Sequence, residues 1–201
     1  YGSELSPNVN FNTNTTGWGS YVSGTVSQET TTTYSGTGAM RCTVDGSSYW
    51  LGVLSSYQTF KAGATYVLTA KCYIPSGWDG GDVFIEDAGS LAGVTEVLVK
   101  ASASTTGSWQ DIKNTFTIGT TDTDGNLYLR SEGSPTPSSG KYVIFDEISF
   151  KEDNLAAGVH AYGDDLVVSG AGQTGISIIS QAATGSNLFF GDGIQKDFAR
   201  I

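Results

Sequence analysis

Aromatic and planar polar side chains share the polar phase of several short segments of this 201-residue chain: Tyr73 beside Lys71, Glu86, and Tyr128 with Arg130. Two further rings stand in or next to turns, Trp78 among the glycines of "PSGWDGGD" and Trp50 beside Tyr49 in "SSYWLG". Flat rings cover the apolar side of a pyranose, and planar polar groups meet its hydroxyls. The chemistry open to such a set is therefore sugar binding. Each residue also has a plainer reading: Trp78 as a plug of its own loop, Trp50 as a packed ring, and Tyr73, Tyr128, Arg130 and Glu86 as ordinary strand surface. The sugar-binding reading requires these strands to lie in one sheet.

A carboxylate in an unusual place forms the second candidate. In "YVIFDEISF" strict alternation puts Ile144, Asp146 and Ile148 on one face, so Asp146 stands in an apolar row. A buried charge is costly unless it is paired, hydrogen-bonded or bound to a cation.

Other chemistry lacks its residues. The one histidine, His160, cannot build a Ser-His-Asp or Cys-His arrangement with any recognisable partner, and a catalytic zinc usually takes two or more His or Cys ligands. Twenty acids leave room for a glycosidase pair, but no glycosidase pattern frames any of them. The glycines include no phosphate-binding G-x-x-x-x-G-K-[ST]. Cys42 and Cys72 both fall on the apolar phase of their segments, which suits buried free thiols or a bridge between them; no third ligand or CxxC suggests metal or redox chemistry.

The elements that must position these residues read as strands. Short alternating segments run from Met40 to Phe150, among them "AMRCTV", "TYVLTAKCYI", "TEVLVKA", "NLYLRSE" and "YVIFDEISF". Turn signals such as "VDGSS", "IPSGWDGGD" and "TDTDGN" separate them, and no helical stripe intervenes. The fold class predicted is all-β, a sandwich or jelly roll. Charged residues make up 15%, below the roughly 25% of an average soluble domain, and Gly reaches 27 residues, a profile that suits work outside a cell or on a particle. A net charge of -10, with only 10 Lys and Arg, disfavours nucleic acid and anionic membrane as partners. No run is long enough to span a bilayer as a helix. The chain opens "YGSELSPN" without Met and reads as a piece of a longer polypeptide.

Two framing motifs now carry a resemblance. "ELSPNVNFNTNTTGW" near the start and "GKYVIFDEISF" near residue 150, with "TGSWQDIKNTFTIG" between them, resemble the bookends and inner strand of the jelly-roll carbohydrate-binding modules attached to xylanases and cellulases. Members of that family open with a pattern like N-L-x-x-N-x-x-F-E-x-x-x-x-x-W and close with D-D-V-S or D-E-I-S. The resemblance implies a jelly roll over residues 1–152, with Trp18 and Trp109 packed against the sandwich. It also implies a structural Ca²⁺ held by Asp146 and by the residue after the N-terminal Phe. Here that residue is Asn12, a neutral oxygen donor in place of the family's Glu, so such a site would bind more weakly.

After a polar, aperiodic linker over 153–163 comes a third segment, 164–201, with three apolar runs in "DDLVVSGAGQTGISIISQAATGSNLFFGDG". About 38 residues without cysteines bury too little surface to fold alone, and the simplest partner is another copy. "DDLVVSG", "TGISIIS" and "GSNLFFGDG", in that order and spacing, resemble a segment of bacteriophage tail fibres and tail spikes that associates as a trimer. The reading that results is a non-catalytic, receptor-binding piece of a phage tail: a homotrimer on the virion that recognises a host-cell surface glycan, with avidity from three tethered copies. The alternatives are an accessory glycan-binding fragment of a secreted or tail-associated polysaccharide-degrading enzyme, and a structural virion decoration without ligand.

Overall fold

The computed structural model describes residues 2–55, 57–94 and 97–153. The expected linker beyond Asp153, and the β segment and threefold association expected of 164–201, lie outside the described residues. Among the described residues twelve strands follow one another: β1 Trp18–Gly19, β2 Thr25–Glu29, β3 Ala39–Thr43, β4 Trp50–Leu54, β5 Gln58–Phe60, β6 Thr65–Tyr73, β7 Val83–Glu86, β8 Val97–Ala101, β9 Trp109–Thr117, β10 Thr123–Gly125, β11 Tyr128–Ser131 and β12 Tyr142–Glu152. There is no helix among the described residues, and the all-β class expected from the alternation is the class found.

Two five-stranded antiparallel sheets make the sandwich. The first runs β1-β4-β11-β7-β8 and the second β2-β3-β12-β6-β9, with β10-β5 as a separate ribbon. Successive side chains of a strand point to opposite faces, so each strand gives one row to the core. Leu51, Val83, Ile85 and Leu129 come from the first sheet, and Met40, Leu68, Val143 and Phe145 from the second, all fully buried. Burial of such side chains, at roughly 25 cal/mol per Å² of apolar surface, is what holds the sheets face to face.

Cys42 and Cys72 are buried free thiols, and burial pushes both above the ordinary thiol range. Cys42 pairs with Val143 and Cys72 with Phe145, on opposite sides of β12. Two strand spacings, about 9–10 Å, separate their backbones, beyond the reach of a disulfide.

The N-terminal motif lies against the end of β12. The Glu4 carboxylate accepts N–H bonds from Ser6 and Phe150 at 2.9 and 3.0 Å, and Ile148 N donates to Val9 O at 3.1 Å. β12 itself corrects one expectation. Its register against β6 shifts between Asp146 and Ser149, where Glu147 takes a φ of 48°. The bulge changes the phase. Ile148 and Phe150 turn into the core alongside Val143 and Phe145, while Ile144 and Asp146 belong to the other face.

Candidate functional site

Because Ile85 and Leu129 face the core, their neighbours Phe84, Glu86, Tyr128 and Arg130 stand on the outer face of the first sheet. β11 lies between β4 and β7, and the register brings Arg130 opposite both Trp50 and Phe84, and Tyr128 opposite Glu86. A bulge between Leu129 and Arg130 keeps Trp50 in that row. Four of the expected residues, Trp50, Glu86, Tyr128 and Arg130, therefore meet on one face.

Trp50 is the hub. Its ring centroid lies 5.2 Å from Tyr21, 5.3 Å from Tyr49 and 5.6 Å from Tyr128, and Tyr21 and Tyr128 are 5.0 Å apart. The rings meet mostly edge to face, as aromatic quadrupoles prefer, and this holds each plane in place. Tyr21 reaches Trp50 from the β1–β2 turn because residue 24 is Gly: a Cβ there would sit 2.5 Å from the Trp50 and Leu51 carbonyl oxygens. Burial, then the neighbouring Tyr21 and Tyr57 hydroxyls, raises the Tyr128 phenol above its usual range, so at neutral pH it both donates and accepts.

The polar part of the face is set by ion pairs. Arg130 Nε donates to the carboxylate of Glu86, and its guanidinium lies 4.7 Å from the Phe84 ring centroid. Glu86 is fully buried, so its role is to hold Arg130, whose side chain remains 18% exposed. Beside Phe84 in register, Lys100 pairs with Asp82 at 3.0 Å. The Ala103 N–H and then Lys100 hold the Asp82 carboxyl below its usual range, against the opposing effect of burial.

Two expected contacts stand elsewhere. Tyr73 is in β6, in the second sheet, where it packs against Trp109 at 5.6 Å. Shared phase did not mean a shared sheet. Trp109, expected in the core, is half-buried in that same outer row, and only Trp18 is in the core. Trp78 lies in the β6–β7 loop, with its indole N–H donated to Gly81 O at 2.9 Å. Tyr21, Tyr49, Tyr57, Phe84 and Lys100 join or flank the face without having been singled out in the sequence; the Tyr49–Trp50 dipeptide was the one signal pointing to any of them.

At the calcium site expected of Asn12 and Asp146, both side chains accept backbone N–H groups. Asp146 is fully buried, and its Oδ2 accepts the N–H groups of Tyr34 and Ser35 at 3.0 and 3.1 Å, while Oδ1 accepts that of Glu147 at 2.8 Å. Asn12 Oδ1 accepts the Thr37 N–H at 2.6 Å, and Gln28 Nε2 donates to Phe11 O at 2.9 Å. A hard cation needs several free oxygen lone pairs converging. Here N–H donors point at those oxygens, and the residues as they stand do not fit a cation. Among the described residues there is also no group of three or more His, Cys, Asp or Glu able to hold a metal ion.

The Asp146 carboxylate is instead a clamp on residues 34–35. Asp146→Asn places an amide donor against these N–H groups and is expected to cost about 1–3 kcal/mol of stability. Burial raises the Asp146 carboxyl above its usual range, opposed by the N–H bonds of Ser35, Glu147 and Tyr34. A carboxyl whose folded pKa exceeds its unfolded value makes the folded state bind the proton more tightly. The wild-type chain should therefore gain stability relative to Asp146→Asn as pH falls from neutral through that raised pKa, with the gain complete below the unfolded value near about 3.9. Paired urea unfolding at several pH values checks this, and a difference independent of pH contradicts it.

Fold and face together define a carbohydrate-binding β-sandwich module. Residues 3–139 match the family CBM_4_9, described as a carbohydrate binding domain, and this is well over half of the chain. The protein belongs to that family. Solved structures share the fold at low identity. The CBM22-1 xylan-binding domain of Paenibacillus barcinonensis Xyn10C is 16% identical with a TM-score of 0.55, over 75% of this chain and 95% of that one. The C-terminal family 22 carbohydrate binding module of Clostridium thermocellum Xyn10B is 13% identical with a TM-score of 0.56, over 72% and 91%. The CBM22-1-GH10 modules of Clostridium thermocellum Xyn10B, complexed with xylohexaose, are 17% identical with a TM-score of 0.55, over 76% of this chain but 29% of that longer one. No curated protein matches the chain.

Proposed function

We propose that this module binds a neutral, xylan-type polysaccharide on the outer face of its first sheet, without catalysis. The carrying observation is the contiguous ring cluster of Trp50, Tyr21, Tyr49 and Tyr128 beside Arg130, in a chain of a carbohydrate-binding family. Sugar rings lie on the aromatic faces, and Arg130, Lys100 and the tyrosine hydroxyls meet their hydroxyl groups. Glu86 and Asp82 are each tied to a cation, whereas a glycosidase needs one carboxyl held protonated beside a second that is free to act. Solved xylan-binding relatives of the same fold support the choice of ligand class. Retention on insoluble xylan with no release of reducing ends is the expected result; release of reducing ends would contradict the non-catalytic part.

The setting we infer is a phage tail, with three copies of the module presented to a host surface polysaccharide. Its support is the order and spacing of "DDLVVSG", "TGISIIS" and "GSNLFFGDG". A second reading, the accessory module of a polysaccharide-degrading enzyme, is favoured by the relative whose matched part is 29% of a longer chain carrying a GH10 module. Native mass separates them: about three chains for the tail setting, one for the accessory module.

Binding on this reading is independent of calcium. Addition of Ca²⁺ or of a chelator should leave Tm and affinity unchanged, because N–H donors already satisfy Asp146 and Asn12. A calcium-dependent rise in Tm would show that residues 34–37 rearrange around the ion.

A further inference from the structure

A pocket lies between the β6–β7 loop and the residues before and at the start of β12, and none of the rings of the Trp50 cluster lines it. The β6–β7 loop, with Ser76 and Trp78, faces the residues that lead into β12, Ser139, Lys141 and Tyr142, across a space of about 480 Å³. β6 and β12 belong to the second sheet and β7 and β11 to the first, so this pocket lies between two loops that connect the sheets. The volume is within the range of small-ligand sites.

Its walls are held before any ligand arrives. The Trp78 indole N–H is engaged by Gly81 O, and the ring, half-buried, packs on one side against the core while it also lines the pocket. The ring lies close over Gly80, where a Cβ would come within 2.6 Å of Trp78 Cζ2, and the same point is 3.0 Å from Pro137. Ser138 N donates to Asp79 Oδ1 at 3.0 Å and Lys141 Nζ donates to Gly77 O, so both walls are bonded to each other. Tyr142 is fixed by the Arg41 guanidinium, 3.5 Å from its ring centroid. An ammonium has three protons, and the Gly77 bond uses one of those on Lys141.

We infer that this pocket is a second carbohydrate site, taking one or two neutral sugar units against Trp78 and Tyr142, with Lys141 and the Ser76 and Ser139 hydroxyls meeting the sugar hydroxyls. Two preorganised rings and a partly engaged ammonium match an uncharged polyol, and a chain of net charge -10 disfavours an acidic one. The site rests on the polysaccharide-binding reading above. It would let one module hold two chains, or two stretches of one chain, and so raise avidity without a stronger single contact.

The test follows the indole N–H resonances of the ¹⁵N-labelled chain during titration with xylohexaose, with the Trp78 signal assigned from Trp78→Phe. In wild type, both the Trp50 and Trp78 signals should shift and saturate. In Trp50→Ala, the Trp78 shift should persist with its midpoint changed less than twofold, and Lys141→Ala with Tyr142→Leu should abolish it. A Trp50 shift without any Trp78 shift overturns the second site and leaves the first standing. A Trp78 shift that disappears in Trp50→Ala overturns its independence. Silence at both rings, in a chain whose amide spectrum shows it folded, removes the polysaccharide reading itself and the second site with it.

Discussion

Trp50→Ala is expected to weaken binding to xylan by about thirtyfold, roughly 2 kcal/mol, which is the usual scale for a central aromatic anchor. Trp50 is the one ring that touches Tyr21, Tyr49 and Tyr128 at once, so its removal deletes a stacking surface and frees the three tyrosines to reorient. Each of the three lost ring pairs also contributes about 0.5–1.5 kcal/mol to the fold, so a clear fall in Tm accompanies the loss of affinity. Trp50→Phe restores most of the packing and part of the binding. Trp109→Ala, on the second sheet, serves as the control and should leave affinity for xylan unchanged. Affinity electrophoresis in gels containing xylan reads all three. Equal mobility of wild type and Trp50→Ala would mean that the ring cluster is packing alone.

Arg130→Met should lower stability by about 3 kcal/mol. Glu86 is fully buried, and Arg130 is the cation bonded to it. Removing one partner of a buried ion pair leaves a charge in a medium that solvates it poorly, and the penalty commonly reaches 3–5 kcal/mol. For a domain of this size that corresponds to a fall in Tm on the order of 10 °C. Glu86→Gln combined with Arg130→Met removes the charge along with its partner and should recover much of the loss. The difference between the double variant and the sum of the singles measures the coupling. A single Arg130→Met that melts within a degree or two of wild type would show that solvent or another group already screens Glu86.

Much of the sandwich was legible because its strands alternate. The apolar phase of "TYVLTAKCYI" that placed Cys72 inward is the core row of β6, with Leu68 and Ala70, and "YVIFDEISF" is the strand β12. Phase says which residues of a strand share a face, however, and not which sheet the strand joins. Tyr73 and Tyr128 have equivalent phases and stand in different sheets. The bulge at Glu147 was not legible either, because a left-handed backbone at a glutamate has no compositional signature. Tyr21 went unnoticed for a related reason: it sits in a turn between two very short pairings, and only Gly24 lets that turn rest on the backbone of Trp50. The neutral Asn12 in place of the family's acid, by contrast, was readable as the loss of one charge from the expected ion site.

The central claim, that the first sheet's outer face is a polysaccharide-binding surface, is tested most directly by calorimetric titration of the chain with xylohexaose alongside neutral β-linked and α-linked oligosaccharides of similar length. Saturable binding of xylohexaose, weakened by about thirtyfold at the Trp50 face in Trp50→Ala and kept in full in Trp109→Ala, is the predicted result. No heat with any neutral oligosaccharide from a folded chain, or an isotherm that Trp50→Ala leaves unchanged, would contradict it.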